Sequence, residues 1–473
     1  IRGTCTRLQK PPERLKHMSF VDFLNTYIAT NGDVAIASLQ DCLRIPSVKD
    51  EATVAPGAPF GQACADALTY TLDMCAAAGM TTVNLDGYVG YAEFGPKDAA
   101  EHVALLGHLD VVPPGDGWTD GPWDAVVRDG RIWSRGTQDD KGPTFAGVHG
   151  AIALLQSGVE LRHRVRLIFG CDEESSWQCM EHYFGAAGQP MPKLAFTPDA
   201  GFPLYHAEKG SYTATVTLPL GSSSEEISGF TSGLRPNMVP DKATVTSFNE
   251  SLINRLHAIL PDGVKTNDGG FQVTGVSAHG GAPHGGVNAA MLLARGLADV
   301  TSDEAWKALV ELCDCDGKGA GIDGRDDLTG PLTLNVGVVN IVNGLLEVVI
   351  NVRYPATWDD SVLQRSWDNL SERGWKLIQF DHTAPLHVPI DQEPVKTLLS
   401  VYRDHTGDMS SPKTMGGRTY ATSVQPVGVA FGAAMAGDPE VAHRPDENIS
   451  IERYLQCIRI YGDALYRLAN VEA

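Results

Sequence analysis

A strand–helix alternation that starts near His102, breaks off after Phe196 into a β-rich stretch and returns at Val427 leaves this chain few folds to choose from. His102 to Gly107, Arg164 to Phe169 and Leu194 to Phe196 are short apolar runs of strand length. Between them, Pro143 opens a helical pattern with Phe145, Val148, Ile152 and Leu155 on one face, and a second helix is expected around Trp177 to Phe184. This is an α/β layer pattern with a mainly parallel sheet.

The middle of the chain has a different rhythm. Tyr212 to Leu218, Ala243 to Phe248, Phe271 to Ser277, Leu332 to Val339 and Leu346 to Arg353 are β-rich, with one helix from Val287 to about Val300. The α/β pattern returns at Val427 to Gly432, and Ile451, Leu455, Ile458, Leu465 and Leu468 line one side of a closing helix. At the other end, Phe20, Leu24, Tyr27 and Ile28 predict one helix, and Ile36, Leu39 and Leu43 a second behind an Asp33 cap. The expected organisation is an α/β domain in two segments, 1–210 and 385–473, with an inserted α+β domain over 211–384.

Composition excludes some partners. Lys plus Arg is 37 against 58 Asp plus Glu, a net charge of −21, which repels nucleic-acid phosphates and anionic lipid surfaces. No run of about 18 apolar residues occurs, so no membrane span is expected. Arg2 to Lys16 is basic but lacks the apolar core of a signal peptide. Nine cysteines at irregular spacing, from Cys5 to Cys457, suggest reduced thiols and a cytoplasmic protein. Cys313-Asp-Cys315 has the chemistry of a metal or redox pair, but no second Cys or His cluster accompanies it, and a surface loop explains it as well.

The chemistry-bearing residues sit just past the strands. His108 and Asp110 follow the first, Glu173 and Glu174 the second, Asp199 the third, and His443 follows the late strand after a Gly/Pro loop. In open parallel sheets, sites form beyond the carboxyl ends of the strands, so these groups are candidates to converge. Packed together they would repel and desolvate one another unless a cation joined them. Singly, each has an ordinary role as a loop histidine, a solvated acid or a helix cap, and periodicity does not establish convergence.

Four segments go further: Gly107-His-Leu-Asp-Val-Val-Pro113, Arg135-Gly-Thr-Gln-Asp-Asp-Lys-Gly-Pro143, Asp172-Glu-Glu-Ser-Ser-Trp177 and Phe196-Thr-Pro-Asp-Ala-Gly201. With Glu440-Val-Ala-His-Arg-Pro-Asp-Glu447, they resemble, in order, the motifs of the co-catalytic dizinc peptidases, the family of carboxypeptidase G, aminoacylase and succinyl-diaminopimelate desuccinylase. Trp177 to Tyr183 and Tyr205 to Gly210 are similar to its dipeptidase V branch.

The resemblance implies two divalent ions, with His108 and Asp199 on one, Glu174 and His443 on the other, and Asp139 bridging. Zinc suits such a donor set, as do manganese and cobalt. It implies Glu173 as general base, Asp110 behind His108 to fix its tautomer, a cis Asp139-Asp140 peptide, and His279 as a donor to the oxyanion. Residues alone would make His279 a turn residue in a Gly-rich loop.

The branch resemblance also assigns Asn237 and Arg353 to the substrate carboxylate, as a dipeptidase requires; a surface salt bridge is the ordinary alternative for Arg353. Met415-Gly-Gly-Arg-Thr-Tyr-Ala-Thr422 resembles a substrate-side loop, carried by Gly416 and Gly417, that in the branch often ends in Arg. Here the cation stands at Arg418, and if the segment is helical, 418 and 422 share a face. The expected protein is a monomeric dipeptidase, its inserted domain taking the place of a partner subunit. An N-acyl amino acid deacylase or carboxypeptidase on the same metals is the rival activity, and a silent peptide binder the rival without one.

Overall fold

The structure is a computed structural model and describes residues 18–247, 249–266 and 269–472. Cys5, the basic stretch Arg2 to Lys16 and Phe248 lie outside the described residues. The chain divides into two compact units. The first comprises the described residues up to His206, Val388–Lys413 and those from Thr419 onward; the second comprises Ala207–His387 and Thr414–Arg418.

In the first unit the strands run in the order Thr81–Leu85, Val89–Phe94, Arg164–Gly170, His102–His108, Leu194–Thr197, Gly428–Ala430. The last four are mutually parallel, and the first two extend the sheet antiparallel at one edge. Every residue of His102–His108 is buried, as a central parallel strand covered on both faces requires.

Three helices, Phe20–Leu43, Lys141–Ser157 and Ile451–Leu468, pack together beside this sheet. The Lys141–Ser157 helix is buried on all sides from Lys141 to Leu154, more than the single apolar face read from its sequence. It crosses Ile451–Leu468 at Gly150 and Gly462, where a Cβ on Gly150 would stand 2.6 Å from the Gly462 nitrogen. Only glycine allows that approach.

The two helices expected before residue 44 are one, Phe20–Leu43, with no break at Asp33. Phe20, Leu24, Tyr27, Asn31, Ala35, Leu39 and Cys42 keep a helical period straight through Gly32, and all are buried. A glycine inside a helix costs about 1 kcal/mol, less than the roughly 1.5–3 kcal/mol from burying one large apolar side chain.

The second unit is an eight-stranded, wholly antiparallel sheet. Its order is Val264–Lys265, Gly270–Thr274, Lys242–Ser247, Ile227–Ser232, Thr333–Val342, Leu345–Tyr354, Gly210–Pro219, Lys376–Thr383. Tyr212, Ala214, Val348, Ile350 and Val352 on one face join the core formed with the helices Ala289–Thr301 and Glu304–Leu312. Alternation puts Ser211, Thr213, Asn351 and Arg353 on the opposite face, and there the Asn351 amide donates to the Thr213 hydroxyl at 2.9 Å.

Candidate metal centre

Parallel register brings the first three ligand-bearing turns to one edge of the sheet. His108 is paired with Gly170 and Leu105 with Phe196, so the turns after Gly170 and Thr197 emerge beside His108. The Lys141–Ser157 helix starts under the same edge. A Cβ on Gly107 would stand 2.0 Å from the Thr144 hydroxyl, so the glycine lets the helix start touch the strand end. Asp140 is buried there; its carboxylate accepts from the His108 amide at 3.2 Å and the Thr144 hydroxyl at 2.8 Å, and burial pushes its pKa up to about 7. The Asp139-Asp140 peptide is cis, as the family resemblance implied.

Asp139 faces two imidazoles. Its Oδ1 lies 3.0 Å from His108 Nε2, and its Oδ2 lies 2.8 Å from His443 Nε2. His443 Nε2 is also 2.9 Å from Glu174, and His108 Nε2 is 3.8 Å from Asp199. Ligand-type atoms of His108, Asp139 and Glu174 lie within 4.8 Å of one another, as do those of His108, Glu173 and Asp199. His108 Nδ1 is 2.9 Å from the carbonyl oxygen of Asp110, which can only accept, so Nδ1 carries a proton, and in the neutral ring it is Nε2 that presents a lone pair. Facing carboxylate oxygens, the imidazoles need positive charge between, from a proton on Nε2 or from a bound cation, and two imidazoles with several carboxylates form a donor set that fits a metal.

Electrostatics tell the same story. Burial would lower the His108 pKa, but hydrogen bonds to Asp110 and Asp139 outweigh it and push it well above an ordinary imidazole's. Contacts with Asp139 and Glu174 raise His443 to about 10. Burial holds Glu173, Glu174 and Asp199 above the ordinary carboxylate range, and neighbouring acids add to it. Asp139 goes the other way: burial would raise it, but both imidazoles draw it below that range.

Asp110 differs in detail from the expectation. The nearer acceptor for His108 Nδ1 is its backbone carbonyl, with the carboxylate 3.5 Å away. The Asp110 carboxylate accepts from the amides of Glu173 and Glu174 at 3.0 Å each, so it holds the turn that carries both. Trp177 adds to this by donating from its indole to the Glu173 carbonyl at 2.7 Å.

Two contributors were not read from the sequence. Glu447 and Arg135 form a buried ion pair at 2.5 Å, and the other Glu447 oxygen accepts from the Gly136, Gln138 and Asp139 amides. Arg135 also donates to the Arg444 carbonyl, so the pair fastens the Asp139 loop to the His443 loop. Both residues stood inside quoted motifs, yet nothing in their spacing of more than 300 positions pairs them. The second is Tyr420, buried edge-on to His108 and Trp177, with its hydroxyl 2.9 Å from the Cys179 sulfur. A cavity of about 410 Å³ opens beside Asp139 and Asp199, walled by Ala433 and Ala434 and flanked by Tyr205 and Lys413.

The remaining expected site residues belong to the second unit. The Gly280 amide donates to the Asn237 carbonyl at 2.7 Å, and the Gly281 amide donates to His279 Nδ1 at 3.1 Å; both side chains are exposed. Asn335 holds the Asn237 loop by donating to the Pro236 and Met238 carbonyls. Arg353 is buried, and its Nε and Nη1 have no hydrogen-bond partner among the described residues. Burial, helped by the charge of Arg418, brings its pKa down to about 10. The surface salt bridge considered for Arg353 is not formed among the described residues.

The helix entertained for Met415 to Thr422 is absent. Lys413–Met415 is a strand, Gly416 to Thr419 is irregular, and a 3₁₀ turn begins only at Tyr420, where Thr422 is buried. Two consecutive glycines disfavour a helix, and Thr419 in extended conformation caps the turn that follows. Arg418 therefore shares no helical face with position 422; it donates to the Thr383 hydroxyl instead. Cys313 is buried and Cys315 half-buried, and neither joins a metal-type cluster among the described residues. No helix of the described residues is long and apolar enough to cross a membrane.

A family model for Peptidase family M20/M25/M40 matches residues 104–467, and the chain belongs to that family. It is 39% identical over 456 residues to the Bacillus subtilis protein named Putative dipeptidase YtjP, covering 92% of this chain and 97% of that one. A Staphylococcus epidermidis relative with a dipeptidase name is 34% identical over 457 residues, covering 92% and 96%. Among solved structures, the Saccharomyces cerevisiae di-peptidase Dug1p superposes with a TM-score of 0.58 at 14% identity, covering 96% of this chain and all of that one. The Sulfolobus solfataricus M20 metallo-carboxypeptidase Sso-CP2 gives 0.57 at 18%, covering 91% and 98%. At such identities the structural likeness speaks for the fold.

Proposed function

We propose that this protein is a metal-dependent dipeptidase that hydrolyses the peptide bond of dipeptides. The observation that carries the reading is the two-sided setting of Asp139, one carboxylate oxygen against each imidazole, with Glu173 close to His108 and Asp199. His108 and Asp199 would hold one divalent ion and Glu174 and His443 the other, with Asp139 between them. Zinc is the proposed metal. Bound there, such ions lower the pKa of a shared water and polarise the scissile carbonyl.

The chain's own groups do the rest. Glu173 takes the proton of the attacking water and passes it to the leaving amine, and its buried position raises its proton affinity as a base requires. Because His279 Nδ1 accepts from the Gly281 amide, the neutral ring carries its proton on Nε2, the nitrogen that would donate to the developing oxyanion. Arg353, a buried guanidinium whose Nε and Nη1 lack partners among the described residues, takes the free carboxylate of the substrate together with Asn237, the Gly416-Gly417 turn and Arg418. That carboxylate requirement places the scissile bond next to the C-terminal residue of the substrate.

Metal analysis paired with hydrolysis of dipeptides, tripeptides and N-acetyl amino acids, before and after chelation, tests the proposal. Dipeptide turnover lost on chelation and restored by zinc is expected. Turnover confined to N-acetyl amino acids would replace the dipeptidase with a deacylase. Light scattering is expected to find a monomer.

A further inference from the structure

The polar face of the second unit's sheet carries a row of side chains running straight across four strands. Thr333 is the register partner of Arg353, Arg353 of Ser211, and Ser211 of Thr383. Directly opposed residues on neighbouring strands point to the same side, with Cα atoms about 4.5–5.5 Å apart. The row is tied at both ends. The Thr333 hydroxyl reaches the Gly281 carbonyl at 3.5 Å, in the loop of His279, and the Thr383 hydroxyl accepts from Arg418.

Ser211 thus stands between the strand position of Arg353 and the threonine that anchors Arg418. Its residue is 6% exposed, yet its hydroxyl makes no hydrogen bond among the described residues. Of the hydroxyls further along that face only Thr213 is engaged among the described residues, by Asn351, and what sets Ser211 apart is its place directly opposite Arg353. Next to Ser211, Arg353 leaves two buried nitrogens without partners. Burying a donor without a partner is costly, so the two idle guanidinium nitrogens mark a place prepared for an acceptor, and the Ser211 hydroxyl stands beside them in the row.

We propose that the Ser211 hydroxyl is a further donor to the substrate's carboxylate, adding to Arg353 and Arg418 in a site that distinguishes an acid from its amide. A carboxylate has about four acceptor positions, more than one guanidinium fills, whereas a neutral amide has only its carbonyl oxygen to offer. The inference rests on the reading that Arg353 receives the substrate's free carboxylate, and it adds a residue that the family motifs do not include.

The test uses the metal-loaded full chain and two probes, leucine and leucinamide, with binding followed by calorimetry beside dipeptide kinetics. Wild type should prefer the acid. Ser211→Ala should weaken leucine about tenfold, leave leucinamide unchanged and raise KM for dipeptides with kcat little altered, as loss of one hydrogen bond to a charged group predicts. Ser211→Thr, which keeps a hydroxyl, should recover most of the loss; this separates the hydroxyl from any packing effect. Equal weakening of both probes by Ser211→Ala, or none of either, overturns the proposal. If acid selectivity and its dependence on Ser211 persist in a protein that fails to cleave dipeptides, the dipeptidase reading falls and this one stands. Dipeptide turnover indifferent to Ser211→Ala does the reverse.

Discussion

The first unit gathers carboxylates and imidazoles around Asp139, whereas the polar face of the second unit buries the Arg353 guanidinium with Arg418 as its charged neighbour. In the first, carboxyl groups are pushed up by burial and by one another, and both histidines are driven towards the charged form. In the second, an arginine is pushed down. The first is short of positive charge and the second short of negative charge. Desolvation acts on both, but the missing counterion has opposite sign, so the first suits a cation and the second an anion. Neither arrangement stabilises the fold by itself, since a buried charge without its partner is a cost.

The largest effect should come from Asp139→Ala, which removes the oxygens facing both imidazoles: metal content should fall and dipeptide turnover should vanish together. A variant that kept two equivalents of metal would break the contrast at its acidic end. Glu173→Gln comes next, with turnover down about 10²–10⁴-fold and metal content unchanged, because it removes a proton acceptor. Loss of metal in this variant would make Glu173 a ligand, in company with His108 and Asp199.

On the basic side, Arg353→Ala should raise KM for dipeptides about 100-fold, as loss of charge-assisted hydrogen bonds worth about 1.5–3 kcal/mol implies, while dipeptide amides are spared. Arg418→Ala should follow in the same direction with a smaller rise; an unchanged KM would remove Arg418 from the site.

The smallest effect concerns a histidine remote from the carboxylates. His149 is buried between the Tyr27 and Ser38 hydroxyls, and burial lowers its pKa from 6.5 to about 4. Its unfolded form therefore binds a proton between pH 6.5 and about 4 while the folded form does not, so stability falls as pH drops through that window. The urea midpoint should decline there, and His149→Gln should flatten the decline. His443 contrasts with it, raised to about 10 by the acids it meets.

Much of this was legible before any coordinates. The strands ending at His108, Gly170 and Thr197 and the final helix stand within a residue or two of their expected places, because apolar runs bounded by turn residues identify buried strands without knowledge of their neighbours. The helix Gln62–Ala77 was missed, its alanines and cysteines giving a weak apolar stripe. The division at Asp33 was wrong because a local capping signal lost to continuous burial along Phe20–Leu43. The helical face entertained for positions 418 and 422 is not formed, because Gly416 and Gly417 favour no helix.

By itself the sequence determined which residue types stand at the ends of which strands, and so the kind of chemistry available, since donor atoms and apolar periodicity are properties of the chain order. Tertiary structure alone decided that Asp139 divides its oxygens between His108 and His443, that Glu447 and Arg135 fasten their loops, and that Ser211 stands in one row with Arg353 and Thr383. Those facts depend on register and packing between segments far apart in the chain, and distance along a sequence carries no information about distance in space.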